Sequence, residues 1–222
     1  MSYRDDGGGG KVTNALLETK LHVPRRRGGS VERPRLLRRL ERTAALTLVS
    51  APAGFGKSTL LTEWRSSPAV NGSATAWLSL DERDNEPAAF LRYVVAAVRK
   101  AAPGVGDTTL SLLESGGVPA DAVLAPLLNE LTDLDREVVV VLDDYHVIDT
   151  PEIHEAVAFL VDHLPAHVRL VISTRTDPPL ALARNRARGE LVEIRASDLR
   201  FTPDEAGSYL TETMGVQLAA NE

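Results

Sequence analysis

Residues 138–142 read Val-Val-Val-Val-Leu, an apolar run with four β-branched side chains and no polar alternation. A strand with one wet face alternates between apolar and polar residues. A strand that does not alternate must be covered on both faces, as in the interior of a parallel sheet flanked by helices. The remainder of the chain supplies the partners such a strand needs. Strand character recurs at 46–50, 75–80, 168–173 and 191–194. Helical periodicity lies between these runs: over 58–66, around Phe90, Tyr93, Val94, Ala97 and Val98, and over 122–134. A further helix starts at Pro151, with Thr150 as its cap and Ile153, Val157, Leu160, Val161 and Leu164 along its buried stripe. Strand and helix in alternation predict an α/β fold, a three-layer αβα sandwich around a parallel sheet. The stretch from Pro103 to Pro119, punctuated by Gly104, Gly106, Gly116 and Gly117, reads as irregular.

Residues 51–58, APAGFGKS, sit between the first core strand and a helix carrying Leu60, Leu61 and Trp64. This is the strand–loop–helix context of a P-loop, the Walker A phosphate cradle. Small residues let successive backbone N–H groups turn inward, the helix N-terminus favours negative charge, and a lysine adds a mobile cation. Gly54, Gly56 and Lys57 meet these needs, and Ala51 stands where the pattern has its first glycine. Ser58 is placed to put its hydroxyl on Mg²⁺ bridging the phosphates. The metal also needs a carboxylate at a neighbouring strand end, and the run 138–142 delivers Asp143 and Asp144 there. Asp143 is the metal candidate; Asp144 is the candidate to orient or deprotonate a water. On its own an Asp pair after a strand is ordinary turn chemistry, and beside a Walker A loop the metal reading takes precedence.

Arg175 follows the next strand at its carboxyl end, where open α/β sheets bind ligands. It is placed either to reach a γ-phosphate or to lie on the surface. The string TRTD from Thr174 resembles the guanine-reading motif of GTPases except that Arg175 replaces its lysine, and no glycine lies three residues beyond Asp143 or Asp144. His146 is close enough to the acids to sense nucleotide, whereas His154 lies inside a helix and reads as packing or surface.

The chain has 222 residues, 25% of them charged, with no cysteine. That excludes a disulfide framework and thiolate chemistry. A net charge of -6 argues against binding nucleic acid through bulk positive charge. Arginines are dense from Arg25 to Arg42, with Leu36, Leu37 and Leu40 at helical spacing. Without interleaved aromatics this reads as a solvated helix face rather than a nucleic-acid patch. Residues 1–18 read as a flexible leader whose first ten positions end in four glycines, with no apolar signal segment. No later apolar run is long enough to span a bilayer, so a cytoplasmic location without membrane contact is expected. Thr202, Pro203 and Glu205 form a capping box opening a helix that Gly215 is expected to end.

Six strings, in order, carry a family resemblance: TKLHVP from Thr19, VERPRLL from Val31, APAGFGKSTL from Ala51, WLSLDERDNEPAAF from Trp77, VVVLDDYHVID from Val139 and LRFTPDEA from Leu199. Together they are similar to the nucleotide-binding domain of MalT-like STAND ATPases, large ATP-dependent LuxR-type transcription regulators. The resemblance implies an ATP/ADP switch with Mg²⁺ and slow hydrolysis, closed with ADP and self-associating with ATP. A stand-alone P-loop enzyme, a GTPase or a small-molecule kinase, is the alternative. Carried over by resemblance, the nucleotide-binding set is Ala51, Pro52, Ala53, Gly54, Phe55, Gly56, Lys57, Ser58 and Thr59, with Val31 and Arg33 on the adenine side. Ser58 and Asp143 hold the metal, Asp144 is the second acid and Arg175 the sensor arginine. The implied organisation is a P-loop domain over 19–198 and the start of a helical subdomain over 199–222. The resemblance further implies that DNA is contacted only by a C-terminal domain beyond this chain.

Overall fold

The computed structural model describes residues 16–25, 31–70 and 72–213. Five strands, β1 (Leu46–Ser50), β2 (Ala74–Ser79), β3 (Val138–Asp143), β4 (Val168–Thr174) and β5 (Leu191–Arg195), form one sheet in the order β2-β3-β4-β1-β5. Every pairing is parallel. The helices are α1 (Pro34–Leu40), α2 (Lys57–Arg65), α3 (Pro87–Ala101), α4 (Asp107–Ser115), α5 (Ala120–Thr132), α6 (Pro151–His163), α7 (Leu182–Ala187), α8 (Ala196–Leu199) and α9 (Pro203–Ser208). A π-helical turn, Tyr209–Thr213, continues α9.

Strands β1, β3 and β4 are buried at every position, whereas the edge strand β5 alternates. Successive strand side chains point to opposite faces, so each interior strand feeds two cores. Leu48, Val138, Val140, Leu142, Leu170 and Ile172 face a core completed by α3, α4, α5 and α6. Val49, Val139, Val141, Val171 and Ile194 face the other, completed by Leu36 and Leu40 of α1 and Leu60, Leu61 and Trp64 of α2. This is the three-layer αβα sandwich expected from the sequence. The parity has a consequence for function. Odd positions of β3 and β4 look toward α2, and the next odd residues are Asp143 and Ser173.

Three local expectations are corrected. The stretch 103–119 is not irregular, because it contains α4 behind Gly106. Gly106 has φ +92°, and a Cβ there would stand 2.7 Å from Val95 Cγ1, so glycine is required where α4 turns under α3. Thr150 occupies the N-cap position of α6, but its hydroxyl donates instead to Asn85 O at 2.8 Å. Of the α1 arginines Arg38 is exposed, but Arg35 and Arg39 are not a solvated face. Arg35 pairs with Glu205 at 2.9 Å, and Arg39 pairs with Asp198 at 2.6 Å and donates to Glu193 O at 2.6 Å. They clasp α1 to the segment from β5 to α9.

The capping box is present, with Thr202 and Glu205 bonding each other's backbone N–H. The leader reading falls mostly outside the described residues, as do Arg26, Arg27 and Gly215. At the leader's described end, Leu17 N–H donates to the Tyr93 hydroxyl at 3.1 Å. Among the described residues no helix is long and apolar enough to cross a membrane.

Candidate functional site

Strand β1 runs into the loop 51–56 and α2 begins at Lys57. Gly54 (φ +83°) and Gly56 (φ +75°) hold left-handed conformations that a side chain would strain. These two turns curl the loop so that the Lys57 ammonium lies inside it, donating to Ala51 O at 2.9 Å and Pro52 O at 3.2 Å. Lys57 is 6% exposed. Burial lowers its pKa, the Arg175 charge adds to this, and Asp144 and Asp143 oppose it.

Strand parity now meets the loop. Asp143, 3% exposed, accepts from Ser58 Oγ at 3.1 Å and from the Ser173 hydroxyl. Ser173 also accepts from Asp144 N–H at 3.0 Å, so one hydroxyl on β4 organises both acids on β3. Burial pushes the Asp143 carboxyl up and the neighbouring Asp144 charge adds to that, while the Ser173 and Ser58 hydroxyls pull it down. A buried carboxylate so disfavoured as an anion is suited to a cation. The fit to Mg²⁺ is direct. Adjacent oxygens of an octahedron with bonds of 2.0–2.1 Å lie about 3 Å apart, the separation found between Ser58 Oγ and the Asp143 carboxylate. Among the described residues there is no cluster of three or more His, Asp or Glu that could cage a metal unaided. Two protein oxygens with phosphates and waters completing the shell is the usual Mg²⁺ arrangement.

A cleft of about 340 Å³ opens above the loop. Ala53, Gly54, Gly56, Lys57, Ser58, Thr59, Asp144 and Arg175 all line it, so the segments that follow β1, β3 and β4 converge there. Ala51 and Pro52 contribute their carbonyls to Lys57, and Asp143 lies just behind Ser58. Phe55 is turned away and packs on the α2-side core. Arg33 and Val31 do not line the cleft. Arg33 is 5% exposed behind the loop, with its guanidinium 3.4 Å from Gly56 O, 3.5 Å from Leu199 O and over the Phe201 ring. Burial holds its pKa down.

Three lining residues escaped the sequence reading of the site: Pro24, Arg25 and Thr62. Thr62 donates to Ser58 O at 2.8 Å, one helical turn below. Pro24 ends the string TKLHVP, and that string was the available signal. Ser173, at the end of a strand and outside any motif, touches both acids.

A second cleft, of about 550 Å³, shares Asp144 and Arg175 with the first and adds Leu80, Asp81, Glu82, Arg83, His146 and Val147. Burial, with help from Arg175, lowers the His146 pKa, and its Nδ1 lies 3.8 Å from the Asp144 carboxylate. His154 serves packing: its Nδ1 meets the buried Tyr145 hydroxyl at 2.8 Å.

No family model matches the chain. It is 39% identical over 197 residues to the HTH-type transcriptional regulator MalT of Serratia proteamaculans, covering 87% of this chain and 21% of that protein. It is 37% identical over 206 residues to the MalT of Yersinia enterocolitica, covering 91% of this chain and 22% of that one. The chain thus spans about a fifth of the length of the curated relatives it matches. Among solved structures it is similar to a Signal Transduction ATPase with Numerous Domains from Pyrococcus horikoshii that carries a tetratricopeptide repeat sensor. The TM-score is 0.65 at 15% identity, over 88% of this chain and 27% of that one. It is also similar to Cdc6p from Pyrobaculum aerophilum, with a TM-score of 0.56 at 16% identity, over 89% of this chain and 54% of that one.

Proposed function

We propose, on the premise that this chain is a relative of the MalT-like STAND regulators, that it is an ATP/ADP switch domain of a transcription regulator, working with Mg²⁺ and hydrolysing ATP slowly. The observation that carries this reading is the convergence of Lys57, Ser58, Asp143, Asp144 and Arg175 at the carboxyl ends of three parallel strands. The relatives are named as transcription regulators, which does not favour a stand-alone GTPase or kinase.

Magnesium, when bound, neutralises charge on the phosphates and orients them. The rest falls to side chains of this chain. Lys57 exchanges two loop carbonyls for phosphate oxygens. Ser58 and Asp143 hold the metal, and Asp144, half in solvent, orients the water. Arg175 reaches over the cleft mouth toward the γ-phosphate, so ATP and ADP are distinguished there. A switch operates only through differential affinity for its states, typically 1–3 kcal/mol of coupling. Loop residues Ala53, Gly54, Gly56 and Thr59 line the phosphates, and Arg33 supports the loop from behind. We place DNA contact outside this chain, and self-association in the ATP state.

Calorimetric titration of the nucleotide-free protein with ATP, ADP and GDP, each with and without Mg²⁺, tests the reading. Mg²⁺-dependent ATP binding and weaker GDP binding are expected. Absence of ATP binding overturns the switch, and GDP binding as tight as ADP binding revives the GTPase alternative.

A further inference from the structure

Asp144 is the sole non-glycine residue with positive φ among the described residues, at φ 61°. Left-handed backbone at an aspartate persists only where its surroundings hold it. On the upstream side Ser173 Oγ holds the Asp144 N–H. On the downstream side the chain makes a short 3-10 turn, Tyr145–Val147, with Val147 N–H donating to Asp144 O at 3.2 Å. One side chain from another part of the molecule then grips the end of this turn. Asn85 Nδ2 donates to Val147 O at 2.8 Å, and Asn85 Oδ1 accepts from Asp149 N–H at 2.8 Å and Thr150 N–H at 3.3 Å. The Asn85 carbonyl accepts from the Thr150 hydroxyl at 2.8 Å. The amide thus imitates a strand, donating and accepting along three successive peptide units. Both functions of the amide are used, which aspartate cannot match because it has no N–H to give Val147.

Asn85 ends the 3-10 turn Glu82–Asn85, which follows β2 and is closed by a capping box between Asp81 and Asp84. Lys20, 8% exposed, pins that box with contacts of 2.9 Å to Asp81 and 2.7 Å to Asp84. The same turn supplies Glu82 and Arg83 to the second cleft, opposite Asp144, His146 and Arg175. Asn85 is therefore the stitch between the two walls of that cleft. Of the seven residues from Asp144 to Thr150, it bonds three of the last four, Val147, Asp149 and Thr150, from a turn that lies far away in sequence.

We infer that Asn85 is a positioning residue that sets the backbone of the Asp144 turn, and through it the alignment of the Asp144 carboxylate with an attacking water. This rests on the reading of Asp144 as the hydrolytic acid. Among the described residues the hydrogen bonds of Asn85 run to Glu82, Val147, Asp149 and Thr150 and not to the phosphate loop or Asp143, so nucleotide affinity is expected to be independent of it.

The test compares N85A, D144A and the double variant by ATP affinity and by single-turnover hydrolysis of Mg·ATP. A displaced turn slows hydrolysis roughly 10- to 100-fold, the size expected when a reacting group is shifted by about 1 Å, with the ATP Kd within about twofold of the parent. The double variant is expected to be no slower than D144A, because Asn85 acts through Asp144. Should N85A fail to fold, N85D retains the acceptor for Asp149 and Thr150, exchanges the bond to Val147 O for a repulsion between two oxygens, and carries the same expectations. Hydrolysis unchanged in N85A while D144A is slow overturns the positioning role and leaves the Asp144 reading standing. Slowing by the same factor in the D144A background also overturns it. A D144A variant as fast as the parent overturns the Asp144 reading and the inference with it.

Discussion

Ser173→Ala removes a single oxygen, yet that oxygen is fully buried and joined to both acids of the site. The substitution opens almost no volume, so the cost is polar. Asp143 loses a charge-assisted donor, worth about 1.5–3 kcal/mol, and the Asp144 N–H loses its acceptor at about 1–3 kcal/mol when left unsatisfied. The two losses share one hydroxyl and are not additive, which gives about 2–4 kcal/mol at neutral pH. For a domain of this size that corresponds to a fall in Tm of about 5–15 °C. Burial already raises the Asp143 pKa and Ser173 pulls it down, so the variant's carboxyl titrates higher than the parent's. The destabilisation is then largest above that pKa and shrinks as pH falls through it, since protonated Asp143 needs the donor less. Urea unfolding of parent and variant from neutral to acidic pH measures both quantities. A loss below about 0.5 kcal/mol at neutral pH, or one that grows on acidification, refutes the reasoning.

Lys57→Ala removes a cation whose hydrogen bonds run to two loop carbonyls, one of them on exposed Pro52. ATP affinity should fall at least about 100-fold by calorimetry, the loss expected of a charged contact worth about 3 kcal/mol, while Tm changes little. Arg175→Ala should weaken ATP while nearly sparing ADP, a separation of about 1–3 kcal/mol in paired titrations; equal losses would make Arg175 a general phosphate contact. Hydrogen bonds from Arg186 and Arg195 hold Glu193 down to about 2. A depressed carboxylate stabilises the fold above its unfolded pKa and loses that contribution as pH falls from about 4.5 toward about 2. After solvent screening of the two partly exposed arginines, Glu193→Gln should cost about 1 kcal/mol at pH 7 and flatten acid unfolding in that window.

The α/β architecture was legible because its signals are local: an unalternating run at 138–142 and a glycine–lysine loop leading into a helix. The loop, both acids and Arg175 were legible for the same reason, since each sits at a fixed offset from a strand end. What was not legible depends on partners distant in sequence. Thr150 looks like a cap, and only the approach of Asn85 diverts its hydroxyl. The α1 arginines look solvated until Asp198 and Glu205 are folded against them. Helix α4 opens with Asp107, Thr108 and Thr109, poor helix formers between glycine-rich flanks, and is stabilised by packing on α3 and α5. Ser173 carries no motif; its role comes from strand parity, once β4 is known to lie beside β3.

The strand order also dictates when the cleft can exist during synthesis. Strand β1 pairs with neither β2 nor β3: Leu46 lies against Leu170 of β4 and Leu191 of β5. A nascent chain that has emerged through α5 already holds the phosphate loop, but its supporting strand has no partner on either side. Until β4 is threaded between β1 and β3, Ser58 cannot meet Asp143, and Ser173 is not there to steady the pair. Contacts between such remote segments form late, because the loop closing them costs entropy before they reward it. Nucleotide would thus be captured only after most of this chain has left the ribosome, and a chain arrested earlier would carry the motif without the site.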